Sequence, residues 1–161
     1  MQPQLQMLAY VTLAMFLGGL VGLDREVARK PAGLRTHMLV SGAAALLVLL
    51  GHVMVKNYDT KLASLLTSDP IRIIEAVITG VSFLGAGTII RNHRDGGQVE
   101  GLTTAASLLL AAAIGISVAL AQFVVALGLT ILILIVLRLL GYVENRFAEP
   151  PVPASPAEER P

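Results

Sequence analysis

Residues 102–137 read "LTTAASLLLAAAIGISVALAQFVVALGLTILILIVL", a stretch without a single charged side chain. An α-helix rises about 1.5 Å per residue, so one straight helix of this length would reach about 54 Å. The hydrocarbon core of a bilayer is only about 30 Å thick. We therefore predict that the stretch folds back as two membrane-spanning helices, the first of them short, with a turn between Gly115 and Gln122.

Three further apolar stretches are long enough to cross a bilayer, for which about 20 residues suffice. They are residues 5–23, 38–55 and 71–90. The predicted fold class is therefore an all-α membrane protein with five transmembrane helices, and four helices with one re-entrant segment is the alternative. The composition agrees, because charged residues make up only 14% of the chain, against about a quarter in soluble domains.

The two ends of the chain lead to different expectations. No basic segment precedes the first apolar run, so we expect this run to be retained as a helix rather than cleaved as a signal peptide. The last residues, 148–161, contain five prolines, and such a segment cannot bury enough apolar surface to order itself. We predict a transmembrane domain over residues 1–147 and a disordered, proline-rich cytoplasmic tail over residues 148–161.

The basic residues are concentrated in alternate loops of the predicted fold. Most lie between the first two helices, between the third and fourth helices, and after the fifth helix: Arg25, Arg29, Lys30, Arg35, Arg91, Arg94, Arg138 and Arg146. Cytoplasmic loops of membrane proteins carry an excess of Lys and Arg. We therefore expect the N-terminus outside the membrane and the C-terminus in the cytoplasm.

Two parts of the sequence resemble each other. "FLGG" at 16–19 is followed by "GLRT" at 33–36, and "FLGA" at 83–86 is followed by "GLTT" at 101–104. The first and third helices also cross the membrane in the same direction. We interpret this as two parallel helical hairpins, related by an axis along the membrane normal, followed by a fifth helix. Chance matching among Gly, Leu and Thr is the alternative.

Glycines are frequent in the first and third predicted helices, although each one weakens a helix. The candidates for helix packing are Gly18, Gly22, Gly80, Gly85 and Gly87. Membrane helices associate through close packing, which small residues allow. We expect helices one, three and four to meet backbone to backbone. The alternative is that exposed carbonyls near Gly85 and Gly87 line a polar path.

Polar residues gather in the predicted cytoplasmic turns. The candidate network consists of Asp24, Arg25, Glu26, Arg35, Thr36, Arg91, Glu100, Thr103 and Thr104. We expect Thr36 to cap the second helix, and Thr103 or Thr104 the fourth. Two helix N-termini beside several arginines form an anion-binding arrangement. An internal network of arginines and carboxylates that ties the hairpins together explains the same residues.

Glu75 is the one carboxylate within a predicted span. A charge inside a bilayer is costly and usually indicates a function or a partner. Glu75 is thus a candidate site for a cation or a proton. A local ion pair with Arg72, three residues earlier on the same helix face, is the alternative.

Several classes of function find no support in the sequence. Cysteine is absent, which excludes disulfides and thiolate metal sites. We find no nucleophile motif, phosphate-binding loop or zinc-ligand spacing, so we expect no enzyme and assign no metal ligands with confidence. The formal net charge of +1 gives no indication of a nucleic-acid partner.

Four segments, in order and at matching separations, resemble the MgtC/SapB family of bacterial membrane proteins. They read "GGLVGLDRE" at 18–26, "AGLRTHMLV" at 32–40, "RIIEAVITGVSFLGAGTIIR" at 72–91 and "VEGLTTAASLLLAAAIG" at 99–115. The resemblance covers residues 10–141. The signature positions of the family fall on Asp24, Arg25, Gly33, Leu34, Arg35, Thr36, Gly85, Gly87, Gly101, Thr103 and Thr104.

The resemblance implies a five-helix protein of the bacterial inner membrane. It also implies a link to adaptation to low magnesium and, in pathogens, to survival inside host cells. MgtC-type members are regarded mainly as regulators of other membrane proteins rather than as magnesium pumps. The chain looks like the short SapB/YhiD-like form, because a proline-rich tail stands where MgtC has a cytoplasmic domain. It departs from many relatives at Glu75, where glutamine is expected.

Two hypotheses about function follow. The first is a non-enzymatic regulator or adaptor that acts on another membrane protein and is linked to magnesium and acid stress. The second is a small oligomeric transporter or channel for Mg²⁺ or protons that uses Glu75. No cofactor is expected, apart from an association with Mg²⁺ that the sequence leaves open. We also expect homo-oligomers in the lipid bilayer, because thin glycine faces can pair between copies as readily as within one.

Overall fold

A computed structural model describes residues 3–58, 70–91 and 101–147, which form five α-helices and no strand. The helices are α1 (Pro3–Val27), α2 (Leu34–Tyr58), α3 (Pro70–Arg91), α4 (Leu102–Ala119) and α5 (Phe123–Phe147). The first four are long and apolar enough to cross a membrane, and α5 contains a shorter apolar segment, Phe123–Leu139. The predicted all-α fold with five helices is confirmed. The predicted proline-rich tail lies outside the described residues.

The charge-free stretch folds back where the sequence predicted. The helix α4 ends at Ala119 and α5 begins at Phe123, so the turn occupies residues 120–122. Ala121 adopts a left-handed conformation with φ of 56°. Its N–H donates to the carbonyl of Val118, and the N–H of Gln122 donates to the carbonyl of Ser117. These bonds satisfy carbonyls that the end of α4 leaves unpaired.

The helices are arranged around α2 and α4. The helix α4 contacts all four others, whereas α3 lies at the edge and contacts only α2 and α4. Within the described ranges α1 and α3 make no contact, so the expectation that these two helices meet is wrong. The reason is that α2 and α4, which each contact both helices, lie between them, and the small residues of α1 pack on α2. The pairs α1–α2 and α3–α4 are adjacent, as the predicted repeat requires, and the repeat itself stays a prediction.

Glycines lie where helices approach most closely. A Cβ at Gly18 would lie 2.6 Å from the Cβ of Ser41, and a Cβ at Gly22 would lie 2.8 Å from the Cα of Leu34. Both neighbours belong to α2. A Cβ at Gly85 in α3 would lie 3.1 Å from the Cβ of Ala105 in α4. These approaches provide the close packing that holds helices together in lipid.

The interior between the helices is apolar along most of its length. One cluster joins α1, α2, α4 and α5, with Leu17, Val21, Val48, Ile114, Val118 and Ile133 among its members. A second cluster joins α2, α3 and α4, with Val40, Val77, Val81, Leu108 and Ala111 among its members. Buried polar side chains are concentrated where α1 ends and α2 and α4 begin. We call this the basic end of the bundle, defined by residues 24–37 and 101–107 together with Arg138.

Candidate functional site

Asp24, in the last turn of α1, is the centre of an ionic group at the basic end. Its carboxylate accepts a hydrogen bond of 2.8 Å from Nη2 of Arg25 and one of 3.0 Å from Nε of Arg138. Arg138 belongs to α5, so the carboxylate connects the first helix of the chain to the last. The group contains two guanidinium cations and one carboxylate and therefore carries a net positive charge.

Arg25 is buried, unlike the other arginine of this group. Its side chain is 7% exposed, whereas that of Arg138 is 78% exposed. The Nε of Arg25 has no hydrogen-bond partner within the part of the chain that the structure describes. Removing a cation from water is costly unless an anion lies beside it. Asp24 is thus the counter-ion that permits Arg25 to lie inside the bundle.

Glu26 holds the loop between α1 and α2. One of its carboxylate oxygens accepts a hydrogen bond of 2.8 Å from the N–H of Leu34, the first residue of α2. A Cβ at Gly33 would lie 2.8 Å from the same carboxylate oxygen, so a side chain there would displace Glu26. The N-terminus of α2 is therefore capped from the preceding helix, eight residues back along the chain.

The threonines that were expected to cap helices do not do so. Thr36 lies inside the first turn of α2 and is exposed. A capping residue must stand outside the helix, and α2 begins two residues before Thr36. The helix α4 begins after Gly101, which has φ of 96° and forms no side-chain capping bond. Thr103 and Thr104 are already helical there, so the expectation of threonine caps is wrong.

His37 forms a buried polar link between α2 and α4. Its ring is fully buried, with Nδ1 2.9 Å from the carbonyl oxygen of Gly33 and Nε2 3.0 Å from Oγ of Ser107. A carbonyl can only accept, so Nδ1 carries a hydrogen. The hydroxyl of Ser107 also lies 2.8 Å from the carbonyl oxygen of Thr104. Every ring nitrogen of His37 thus has a partner, although the site lies between apolar helices.

The single hydrogen of the Ser107 hydroxyl serves one of two acceptors. When His37 is neutral with its hydrogen on Nδ1, Nε2 is an acceptor and the hydroxyl donates to it. When His37 is protonated, both ring nitrogens donate, and the hydroxyl is left to donate to the carbonyl of Thr104. The link between α2 and α4 is therefore satisfied in both protonation states of the ring.

Replacing Ser107 with alanine should destabilise the protein by about 1–3 kcal/mol, because it leaves Nε2 of a buried histidine without a partner. The measurement is thermal unfolding in detergent. Ser117→Ala is the matched control, because among the described residues the hydroxyl of Ser117 bonds to the carbonyl of Ala113 in the same helix and to no other helix. Equal shifts for the two variants would contradict the inter-helical role of Ser107.

The structure brings together only part of the predicted network. Asp24, Arg25, Glu26 and Thr104 lie at the basic end beside His37, Ser107 and Arg138. Arg35, Thr36 and Thr103 are exposed there. Arg91 ends α3, and Glu100 lies outside the described residues.

His37 and Ser107 were missed by the sequence analysis. The available signal is that both are polar residues within apolar helices, and such residues usually bond across to a neighbouring helix. Arg138 was noted only as a basic residue after the charge-free stretch. Its contact with Asp24 spans 114 residues of sequence, and no local pattern indicates it.

The remaining candidates, Glu75, Gly80 and Gly87, all lie on exposed parts of α3. Glu75 is exposed on α3, and the structure forms no ion pair between it and Arg72, which is also exposed. Gly80 and Gly87 have no atom within 4 Å of an added Cβ, so they make no close packing contact with the residues that the structure describes. The described residues contain no group of three or more His, Asp or Glu side chains that could hold a metal ion.

Comparison with known proteins gives consistent matches. The model of the MgtC family matches residues 11–146. Protein MgtC of Salmonella typhi is 38% identical over 165 residues, which covers 99% of this chain and 64% of that protein. An uncharacterised protein of Haemophilus influenzae is 35% identical over 133 residues, or 83% of this chain and 55% of that protein.

A third relative carries a name that mentions magnesium. YhiD of Escherichia coli K12, named as a candidate magnesium transporter, is 34% identical over 129 residues, or 78% of this chain and 56% of that protein. The chain therefore spans between 55% and 64% of the length of these relatives. No solved structure matches the chain significantly.

Proposed function

The chain belongs to the MgtC family, and on that premise we propose that it is a regulator of other membrane proteins, or an adaptor that binds them, in the response to magnesium limitation and acid stress. It is a multi-pass membrane protein related to magnesium by its family. We further propose that the protein lies in a bacterial inner membrane with the N-terminus outside and the basic end in the cytoplasm. This orientation follows the excess of arginine at that end.

The observation that carries the proposal is that the buried polar side chains form hydrogen bonds within the bundle or belong to its basic end. Those of the described ranges form packed contacts between or within helices: Ser41 donates to the carbonyl of Ala14, and Thr130 donates to the carbonyl of Ala126. The remaining buried polar groups belong to the basic end. Apolar clusters fill the bundle away from that end. A packed interior of this kind supports a protein that acts through its surface.

The basic end offers such a surface. Arg35 stands exposed in the first turn of α2, and the structure pairs it with no acidic group in the ranges that it describes. An exposed guanidinium can bind a carboxylate or phosphate group of another molecule by two parallel hydrogen bonds. The group around Asp24 and the cap from Glu26 fix the loop that presents Arg35. We therefore place the contact with a partner at this end.

A magnesium transporter is the alternative, favoured by the name of the Escherichia coli relative. In one copy, Glu75 lies on the outer surface of α3 and Gly85 is covered by Ala105. A path that uses Glu75 would therefore have to run between copies rather than through one bundle. The alternative of a polar path along the carbonyls near Gly85 and Gly87 finds no support at Gly85, which packs against Ala105.

The test measures Mg²⁺ and proton flux through the purified protein in liposomes, together with growth at low magnesium of cells that depend on the chain. We expect no flux above protein-free liposomes, and growth that Arg35→Ala abolishes without changing the thermal stability. Lys56→Ala is the matched control, because Lys56 is exposed at the opposite end of α2. Flux that Glu75→Gln removes would contradict the proposal and establish transport.

A further inference from the structure

The helix α3 presents two unlike faces. Its buried face is a stripe of Val77, Val81 and Gly85, which packs on α2 and α4. The opposite face is exposed and carries, at alternating spacings of three and four residues, a series that we call the polar seam: Arg72, Glu75, Thr79, Ser82 and Ala86. An apolar span at the edge of a bundle thus directs its charged and hydroxyl side chains away from its own chain.

Contact between this polar face and lipid is unfavourable. Arg72 and Glu75 lie in the first two turns of α3, near one end of the span, where placing a charged side chain in lipid still has a cost unless it is paired. Arg72 and Glu75 do not reduce that cost by pairing with each other within one copy. The hydroxyl of Thr79 donates to the carbonyl of Glu75, but that of Ser82 has no bond within the described ranges. Among the described residues, one copy therefore leaves both charges and the Ser82 hydroxyl unpaired, and a second copy can pair them.

We propose that the polar seam binds the same seam of a second copy, so that the protein is a two-fold dimer along α3. Copies inserted in one direction have parallel α3 helices, related by an axis along the membrane normal. A seam spaced alternately by three and four residues is the pattern that two parallel helices share when they cross at a shallow angle. The helix therefore meets an identical helix in register.

Charge complementarity identifies the second copy as the occupant. Successive residues on a helix are about 100° apart, so Arg72 and Glu75 lie about 60° apart, one on each side of the seam. In a parallel two-fold pair, the left side of one seam faces the right side of the other. Arg72 of each copy then faces Glu75 of the other, one helical turn apart at most. One symmetric contact therefore forms two ion pairs, in which each charge has one partner.

The size of the seam residues fits a helix pair. Thr79, Ser82 and Ala86 are small, and small residues let membrane helices approach closely. The free hydroxyl of Ser82 gains a partner across the contact, as hydroxyls commonly do between membrane helices.

Cysteine cross-linking in native membranes tests the dimer, and the chain has no cysteine of its own. We expect Thr79→Cys and Ser82→Cys to shift under mild oxidation from the monomer mass to twice that mass. Leu84→Cys is the matched control, because Leu84 is 51% exposed on the same helix but lies away from the seam. It should remain a monomer.

Charge reversal distinguishes the seam from an accidental encounter. In the Ser82→Cys background, Arg72→Glu or Glu75→Arg alone should remove most of the cross-linked product, because like charges then face each other. The two changes together should restore it. Absent cross-linking would overturn the proposal in favour of a face covered by lipid. Cross-linking to a different protein would overturn it in favour of a hetero-partner. Cross-linking that is equal at all three cysteine positions, or insensitive to the charges, would also overturn it.

Discussion

Replacing Gly115 with alanine will disrupt the crossing of α2 and α4, and we expect this variant to lose more stability than any other glycine substitution considered. A Cβ at Gly115 would overlap the backbone carbonyl oxygen of Ser41. That oxygen is part of a helix and cannot rotate away as a side chain can. Overpacking of this kind typically costs about 1–3 kcal/mol and occasionally more.

The position of α4 enlarges the consequence. Because α4 contacts every other helix, moving it away from α2 also disturbs its contacts with α1, α3 and α5. We expect a fall in the midpoint of thermal unfolding of roughly 2–12 °C, because 1 kcal/mol corresponds to about 2–4 °C in chains of this size. The measurement is thermal unfolding in a single detergent at a fixed protein concentration.

Gly87→Ala is the matched control for Gly115→Ala. Both replace a helical glycine with the same residue, but an added Cβ at Gly87 meets nothing within 4 Å. Alanine is the better helix former by up to about 1 kcal/mol, so this variant should unfold at the same temperature or slightly higher. If the two variants unfold at the same temperature, the close crossing at Gly115 is wrong.

Replacing Asp24 with alanine should destabilise the protein by about 3–5 kcal/mol, because breaking a buried ion pair leaves an uncompensated charge. The charge is that of Arg25, whose residue is only 6% exposed. Arg138 would also lose its contact with α1. We expect a lower midpoint of thermal unfolding and faster proteolysis near the end of α1.

Two further variants show whether the buried charge is the cause. Arg138→Gln removes the exposed partner of the same carboxylate, and exposed ion pairs contribute only about 0–1 kcal/mol, so it should change little. Arg25→Met combined with Asp24→Ala removes both charges and should recover most of the stability. A double variant no more stable than Asp24→Ala alone would assign the effect to something other than the uncompensated Arg25.

The sequence was sufficient for the elements of the fold. The charge-free stretch predicted two helices and a turn because a bilayer limits the length of one span, and the turn at residues 120–122 lies in the predicted interval. Gly18 and Gly85 were recognised as candidates for helix packing from their small size alone. Their partners were not, since a glycine indicates that something approaches closely but not which helix does so.

The candidate site was predicted in part. Asp24, Arg25 and Glu26 were identified because charges at the end of an apolar helix need partners. Their roles differed from expectation: Glu26 rather than Thr36 caps α2, because the helix begins earlier than the apolar run suggests. Gly115 was regarded as a residue of the turn, yet it lies inside α4, where the backbone of α2 leaves no room for a Cβ.

The sequence by itself determined the number of helices and which end of the bundle is basic, because these properties depend on local hydrophobicity and charge. Only the tertiary structure decided that α2 and α4 separate α1 from α3, that Asp24 bonds to Arg138 and that His37 bonds to Ser107. Those contacts join residues far apart in the chain, and in lipid they depend on how backbones and side chains fit, for which hydrophobicity gives no direction.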